Sequence, residues 1–249
     1  MKKTPFWRST TPWILLTLLM GTLVTVWLVQ RQQHHNDTAV REQLQLQTQR
    51  ITDKVVERFK LYEYGLRGLR GVVLTAQGPG FSREKVRRYT GIREINKVFP
   101  GSRGFGYIDR VPASEASRYT EQARADDAPD FTISQLTPNN DERFVIRYIE
   151  PLQGNRQALG LDVGSEARRR HAAWKALQNN EATISAPITL VQTADASMRS
   201  FLLLLPVYRL GIPVGSVAER EAAGQGWTYT PLVIDAVLSS LNLQESLLH

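Results

Sequence analysis

Hydrophobic and polar positions divide the chain into three stretches with different rhythms. From Pro12 to Val29 the apolar run is unbroken: PWILLTLLMGTLVTVWLV carries no charge, with Lys2, Lys3 and Arg8 before it and Arg31 after it. As a helix rising about 1.5 Å per residue it covers roughly 27 Å, close to the hydrocarbon thickness of a bilayer. From Thr38 to about Leu74, apolar residues recur at Ile51, Val55, Phe59, Tyr62, Leu66, Leu69 and Val73, in steps of three or four. That period predicts one long helix with a single apolar stripe, suited to pairing with a second copy or to packing along its own domain. Gly65, Gly68 and Gly71 recur near its end, where missing side chains let another backbone approach, with a fraying helix end as the plainer reading.

Beyond Gln77-Gly78-Pro79-Gly80, which breaks that helix, the rhythm shortens. Ser82 caps a helix with Val86, Tyr89, Ile92 and Ile95 inward. After Pro100-Gly101, strands are predicted over 104–108, 131–134, 143–150, 158–163, 184–191, 201–208 and 226–232. Helices are predicted over 114–125, 165–177 and 233–241. Phe201 to Leu205 is too short to cross a bilayer and reads as a buried central strand. The class is α+β, one antiparallel sheet covered by helices.

The apolar run sets the compartment. A cleaved signal peptide shares its basic start, but no small-x-small site follows Val29, and the run exceeds the seven to about fifteen residues of a signal core. We read residues 1–11 as a cytoplasmic tail, 12–29 as a transmembrane helix in the inner (plasma) membrane, 30–76 as a stalk and 77–249 as a globular domain. The positive-inside rule puts the N-terminus in the cytoplasm and the domain in the periplasm or outside the cell. The chain lacks cysteine, which excludes a disulfide framework, a thiolate metal site and a cysteine nucleophile. Its net charge of +7 comes from scattered residues, as on a solvated face near anionic headgroups, and does not mark a nucleic-acid binder.

Catalysis is disfavoured by the residues present. Histidine occurs only at 34, 35, 171 and 249, and His171 follows Glu166 by five residues, whereas two ligands on one helical face need three or four. No G-x-S-x-G elbow occurs, and GSRGFG over 101–106 lacks the lysine and helix of a phosphate cradle. No catalytic residue, metal or cofactor is expected. Binding has better support. In the strand Arg143 to Glu150, alternation puts Ile146, Tyr148 and Glu150 on one face. A carboxylate ending an apolar and aromatic face suits a small ligand with hydrogen-bond donors. The plainer alternative is a rim salt bridge to Arg147 or Arg143.

The ordered series GFGYIDRVP (104–112), YIEPLQGN (148–155), LGLDVGSE (159–166), SAPITLVQ (185–192) and LLLLPVYR (202–209) resembles the CHASE domain. That domain is the extracytoplasmic sensory part of bacterial histidine kinases, diguanylate cyclases and plant cytokinin receptors. The resemblance implies a long N-terminal helix leading into two PAS-like antiparallel-sheet subdomains, with the ligand in the membrane-distal one, about 104–209. In cytokinin-binding members an acidic residue matching Glu150 holds the adenine ring and a threonine matching Ser185 assists. Glutamate and serine at these places reshape the pocket, whose remaining walls would be Ile146, Tyr148 and Leu203. The expected partners are a small, purine-like ligand, the membrane, and a second copy joined through the stalk. No second apolar span and no kinase or cyclase motif follows, so the output module is expected outside these residues. The competing reading is an anchored scaffold or adhesion module that binds a protein. A closed cavity lined by Glu150, Tyr148 and Ser185 favours sensing, and a solvated Glu150 on a filled core opposes it.

Overall fold

The structure is a computed structural model, described over residues 11–76, 80–191 and 199–241. Residues 77–79 of the predicted break over 77–80, and the residues after 241, lie outside the described residues. Two units divide the chain, Met1–Asp53 and Lys54–His249. Helix α1 is Thr11–Thr75. In the first unit its apolar side chains from Trp13 to Val29 are exposed, and Trp13–Gln32 is long and apolar enough to cross a membrane. Thr17, Thr22 and Thr25 turn their hydroxyls back to the carbonyls of Trp13, Leu18 and Gly21, as Thr48 and Thr52 do farther along α1.

The second unit is built on one seven-stranded sheet. Its strands are β1 (Phe105–Val111), β2 (Ser134–Gln135), β3 (Arg143–Glu150), β4 (Leu161–Asp162), β5 (Thr183–Ile184), β6 (Ser200–Tyr208) and β7 (Gly224–Val233). They lie in the order β2-β4-β3-β1-β7-β6-β5, antiparallel except for β2 beside β4. The helices are α2 (Arg83–Ile92), α3 (Ile95–Val98), α4 (Ala116–Ala125), α5 (Ala167–Asn179), α6 (Val217–Ala223) and α7 (Ile234–Ser239).

Helices cover both faces of the sheet, so its central strands are apolar on both sides. In β6, Leu202 and Leu204 enter the core beneath α5, while Leu203, Leu205 and Val207 enter the core beneath α1 and α2. Trp227 fills the first core without exposure, and its Nε1 donates to the Ala173 carbonyl of α5 at 2.8 Å. In the second core, Tyr62, Leu66, Leu69 and Val73 of α1 pack with Phe105 and Tyr107. The stripe read from the sequence therefore packs, over these residues, along its own domain. Gly65 faces the Phe105 ring, and Gly68 faces the Tyr89 hydroxyl, which donates to the Gly65 carbonyl at 2.6 Å. Side chains, not a second backbone, use the space those glycines leave.

Several expectations change. The strands predicted over 131–134 and 184–191 shrink to β2 and β5, and Pro187, which has no N–H for a ladder, interrupts the latter region. Ile188 still bridges Ser200. Helix α6 was not predicted from its charged sequence; the Ser216 and Glu219 capping box starts it. Ile92, expected inward, is 76% exposed at the end of α2, where Glu94 (φ 46) redirects the chain into α3. The described strands belong to one sheet, with no second sheet among the described residues.

Candidate functional site

The end of β3 is set by a β-bulge. Phe105, Gly106 and Tyr107 pair with Glu150, Ile149 and Tyr148, but Ile108 pairs with Ile146, which leaves Arg147 as an extra residue in β3. The bulge resets the alternation. Phe144, Ile146 and Ile149 enter the core under α5, whereas Tyr148 enters the opposite core under α1 and α2. Ile146 thus lies across the sheet from Tyr148, which corrects the single face expected from strict alternation.

Glu150 is 4% exposed and stands where β3 meets α2. Its Oε2 accepts the Leu152 N–H at 3.0 Å, while its Oε1 has no hydrogen-bond partner. Arg83, the first residue of α2, places Nη1 3.7 Å from that Oε1. Burial raises the Glu150 pKa, opposed by the Leu152 N–H, Arg83 and Arg87. After β3, Asn155 ties the chain down by donating to the carbonyls of Arg103 and Pro151. Gly104 permits this closeness, since a Cβ there would lie 2.5 Å from the Glu150 carbonyl oxygen. Glu150 and Pro151 line one side of a cavity of about 320 Å³, and Thr90, Gly91, Ile95 and Lys97 of α2 and α3 are among its other walls.

Next to Glu150 runs a chain of polar groups. The Tyr148 hydroxyl donates to Asp126 Oδ2 at 2.6 Å, and the same carboxylate faces the Arg83 N–H at 3.3 Å. Asp126 therefore does for the start of α2 what the sequence assigned to Ser82, whose side chain makes no capping bond. Arg147 donates to the Gln122 carbonyl at 3.0 Å and lies over the rings of Tyr119 and Tyr148. Tyr119 in turn donates to Asp109 Oδ2 at 2.8 Å. Burial pushes Asp109 up to about 6, opposed by the Tyr119 hydroxyl, Arg147 and Tyr107. Phe81 closes the group edge-on against Tyr107 and Tyr148, with centroids 5.3 and 5.0 Å away.

The CHASE domain family model matches residues 79–248, from just before α2 to the C-terminal end. This chain belongs to the CHASE domain family. CHASE domains are extracytoplasmic sensory domains without catalytic activity of their own. A solved extracellular ligand binding receptor from Desulfohalobium retbaense DSM5692 is similar over 76% of this chain and 25% of its own, at 11% identity and a TM-score of 0.44. The chain thus spans a quarter of that receptor's length. No curated protein matches.

Within this CHASE domain, the structure brings together Tyr148 and Glu150 and keeps the other expected site residues apart from them. Ser185 follows β5 at the far edge, four strand spacings from β3, or about 19 Å along the sheet at about 4.8 Å per strand. Its hydroxyl is already engaged, donating to the Ala186 carbonyl and accepting from the Leu202 N–H at 3.0 Å. Leu203 belongs to the core under α1, three strands from Glu150. The expected rim salt bridge is also absent: Glu150 is buried and its cationic neighbour is Arg83, while Arg147 lies 3.7 Å from Asp126. Sequence reasoning missed Arg83 and Asp126. Arg83 opens the run REKVRR, where nothing in the pattern separates it from the exposed Arg87 and Arg88.

Proposed function

We propose that this chain is the sensory input region of a membrane-anchored receptor and that its small ligand binds in the cavity beside Glu150. The observation that carries this reading is Glu150 Oε1, a buried carboxylate oxygen without a hydrogen-bond partner at the wall of a 320 Å³ cavity. Arg83 faces this oxygen from 3.7 Å without donating to it, and a buried acceptor that receives no hydrogen bond is costly, so a ligand N–H answers it. The cavity also falls in the range of about 300–1,000 Å³ usual for small-molecule sites. Tyr148 then acts from behind, through Asp126 and the start of α2, rather than as a wall.

In this reading Trp13–Gln32 spans the membrane, the N-terminus is cytoplasmic and the domain lies outside. The output is of histidine kinase or diguanylate cyclase type, and two copies join through the stalk upstream of Phe59, where Leu44, Leu46 and Val56 are exposed. The two PAS-like subdomains that the resemblance implies have no separate sheets among the described residues, where one seven-stranded sheet carries every strand. Ligand binding shifts the helices by an ångström or two, enough to bias such a switch.

The test is thermal-shift screening of the full chain in detergent micelles against purines, amino acids and other small metabolites. A stabilising ligand whose affinity falls in Glu150→Ala supports the site. A ligand that binds Glu150→Ala with unchanged affinity refutes it.

A further inference from the structure

A second buried charge with open hydrogen-bond positions lies beside Glu150, and it narrows the ligand. Arg83 is 1% exposed, and neither its Nε nor its Nη1 has a hydrogen-bond partner. Its Nη1 stands 3.7 Å from Glu150 Oε1, beyond the roughly 2.7–2.9 Å of a charge-assisted hydrogen bond. The Tyr148 ring, 5.5 Å from the guanidinium carbon, offers that cation a π face but no acceptor. Two buried groups of opposite charge thus sit side by side without closing on each other. A ligand that enters between them separates the pair and must return a charge to each, because breaking a buried pair without replacement is strongly unfavourable.

We propose that the cavity takes a free α-amino acid, whose ammonium donates to Glu150 Oε1 and whose carboxylate accepts from Arg83. This rests on the reading of the cavity as the ligand site. A zwitterion carries both charges on neighbouring atoms and adds no net charge to a buried site. Reaching Arg83 requires the Glu150 carboxylate to turn, and Oε1 is the oxygen that no hydrogen bond restrains. Gly91, Ile95 and Pro151, together with the charged Arg87, Glu94 and Lys97, then line the space left for the amino-acid side chain. A purine has weaker support here, since the hydroxyl of Ser185 is engaged at the far side of the sheet.

The test uses the full chain in detergent micelles, with thermal unfolding in millimolar amounts of each standard free amino acid. For any stabilising amino acid, calorimetry then compares the free form with its carboxamide and its N-acetyl derivative. We expect at least one free amino acid to bind, each blocked form to bind about tenfold or more weakly, and Glu150→Gln and Arg83→Lys to lose affinity similarly. If Arg83→Lys does not fold, the blocked ligands still decide. Absence of binding by every free amino acid overturns the proposal, as does a carboxamide that binds as tightly as the acid. A purine that binds in a Glu150-dependent way while no amino acid does overturns the ligand class and leaves the cavity as the site. Amino-acid binding that Glu150→Gln leaves unchanged overturns both.

Discussion

Replacing Gly65 with alanine sets two energies of opposite sign against each other, and the structure decides which is larger. In a helix interior the exchange stabilises by about 0.5–1 kcal/mol, because glycine loses more backbone freedom on folding. At Gly65 the added Cβ would lie 2.4 and 2.7 Å from two carbons of the Phe105 ring and 2.9 Å from Phe99. Those rings are 0% and 1% exposed with centroids 4.8 Å apart, so neither can swing clear. Overpacking of this kind costs about 1–3 kcal/mol, which outweighs the helix gain and leaves the variant destabilised by up to about 2 kcal/mol. Gly71, two turns on, is the control: it is exposed and a Cβ there meets nothing within 4 Å. Gly71→Ala should keep the whole helix gain. The two variants should then differ by the overpacking cost itself, about 1–3 kcal/mol, or roughly 2–12 °C in Tm for a domain of this size. Thermal unfolding of both variants beside the parent, followed by near-ultraviolet circular dichroism in detergent, measures this. Equal stabilisation by both alanines would refute the packing of α1 on Phe105.

Asp109, raised to about 6 chiefly by burial, favours the folded state when protonated; that stability is complete below about pH 4 and is lost as pH rises through about 6. Asp109→Asn should flatten the slope of the urea midpoint against pH over this window, and an unchanged slope would exclude Asp109 as its source. Trp227→Phe removes the Nε1 bond to Ala173 and leaves a void in a fully buried site, so it should cost about 2–4 kcal/mol in urea unfolding. Tyr148→Phe takes one donor from Asp126, which keeps the Arg83 N–H and Arg147; the expected loss is about 1–2 kcal/mol, with a loss near zero counting against the network.

Much of the fold was legible because its strongest patterns arise from burial. The run from Phe201 is apolar at every position to Val207 because β6 lies between two helical layers, and its length suits a doubly covered strand better than a helix or a membrane span. The stripe on α1 was legible for the same reason, since Tyr62, Leu66, Leu69 and Val73 meet one sheet face at helical spacing. The stripe could not say which surface covers it, because a helical partner and a sheet face demand the same period. Edge elements were hard to read: β2 and β5 hold two residues each, too few to carry a period.

The site was half legible, and the bulge at Arg147 explains which half. Alternation assumes one residue opposite one, so an inserted residue exchanges the faces of everything on one side of it. Tyr148 and Glu150 both follow the bulge and keep their relation to each other; Ile146 precedes it and is carried to the other core. No local composition marks the insertion, because Arg147 among Ile146, Tyr148 and Ile149 reads as an ordinary outward strand residue. Its place is fixed by partners far along the chain, the carbonyls of Tyr119 and Gln122 and the carboxylate of Asp126. Arg83 is hidden by the same kind of dependence. Its burial follows from Glu150 and Tyr148, which stand more than sixty residues later, so the residue argued to select the ligand's charge is one that only the assembled fold can single out.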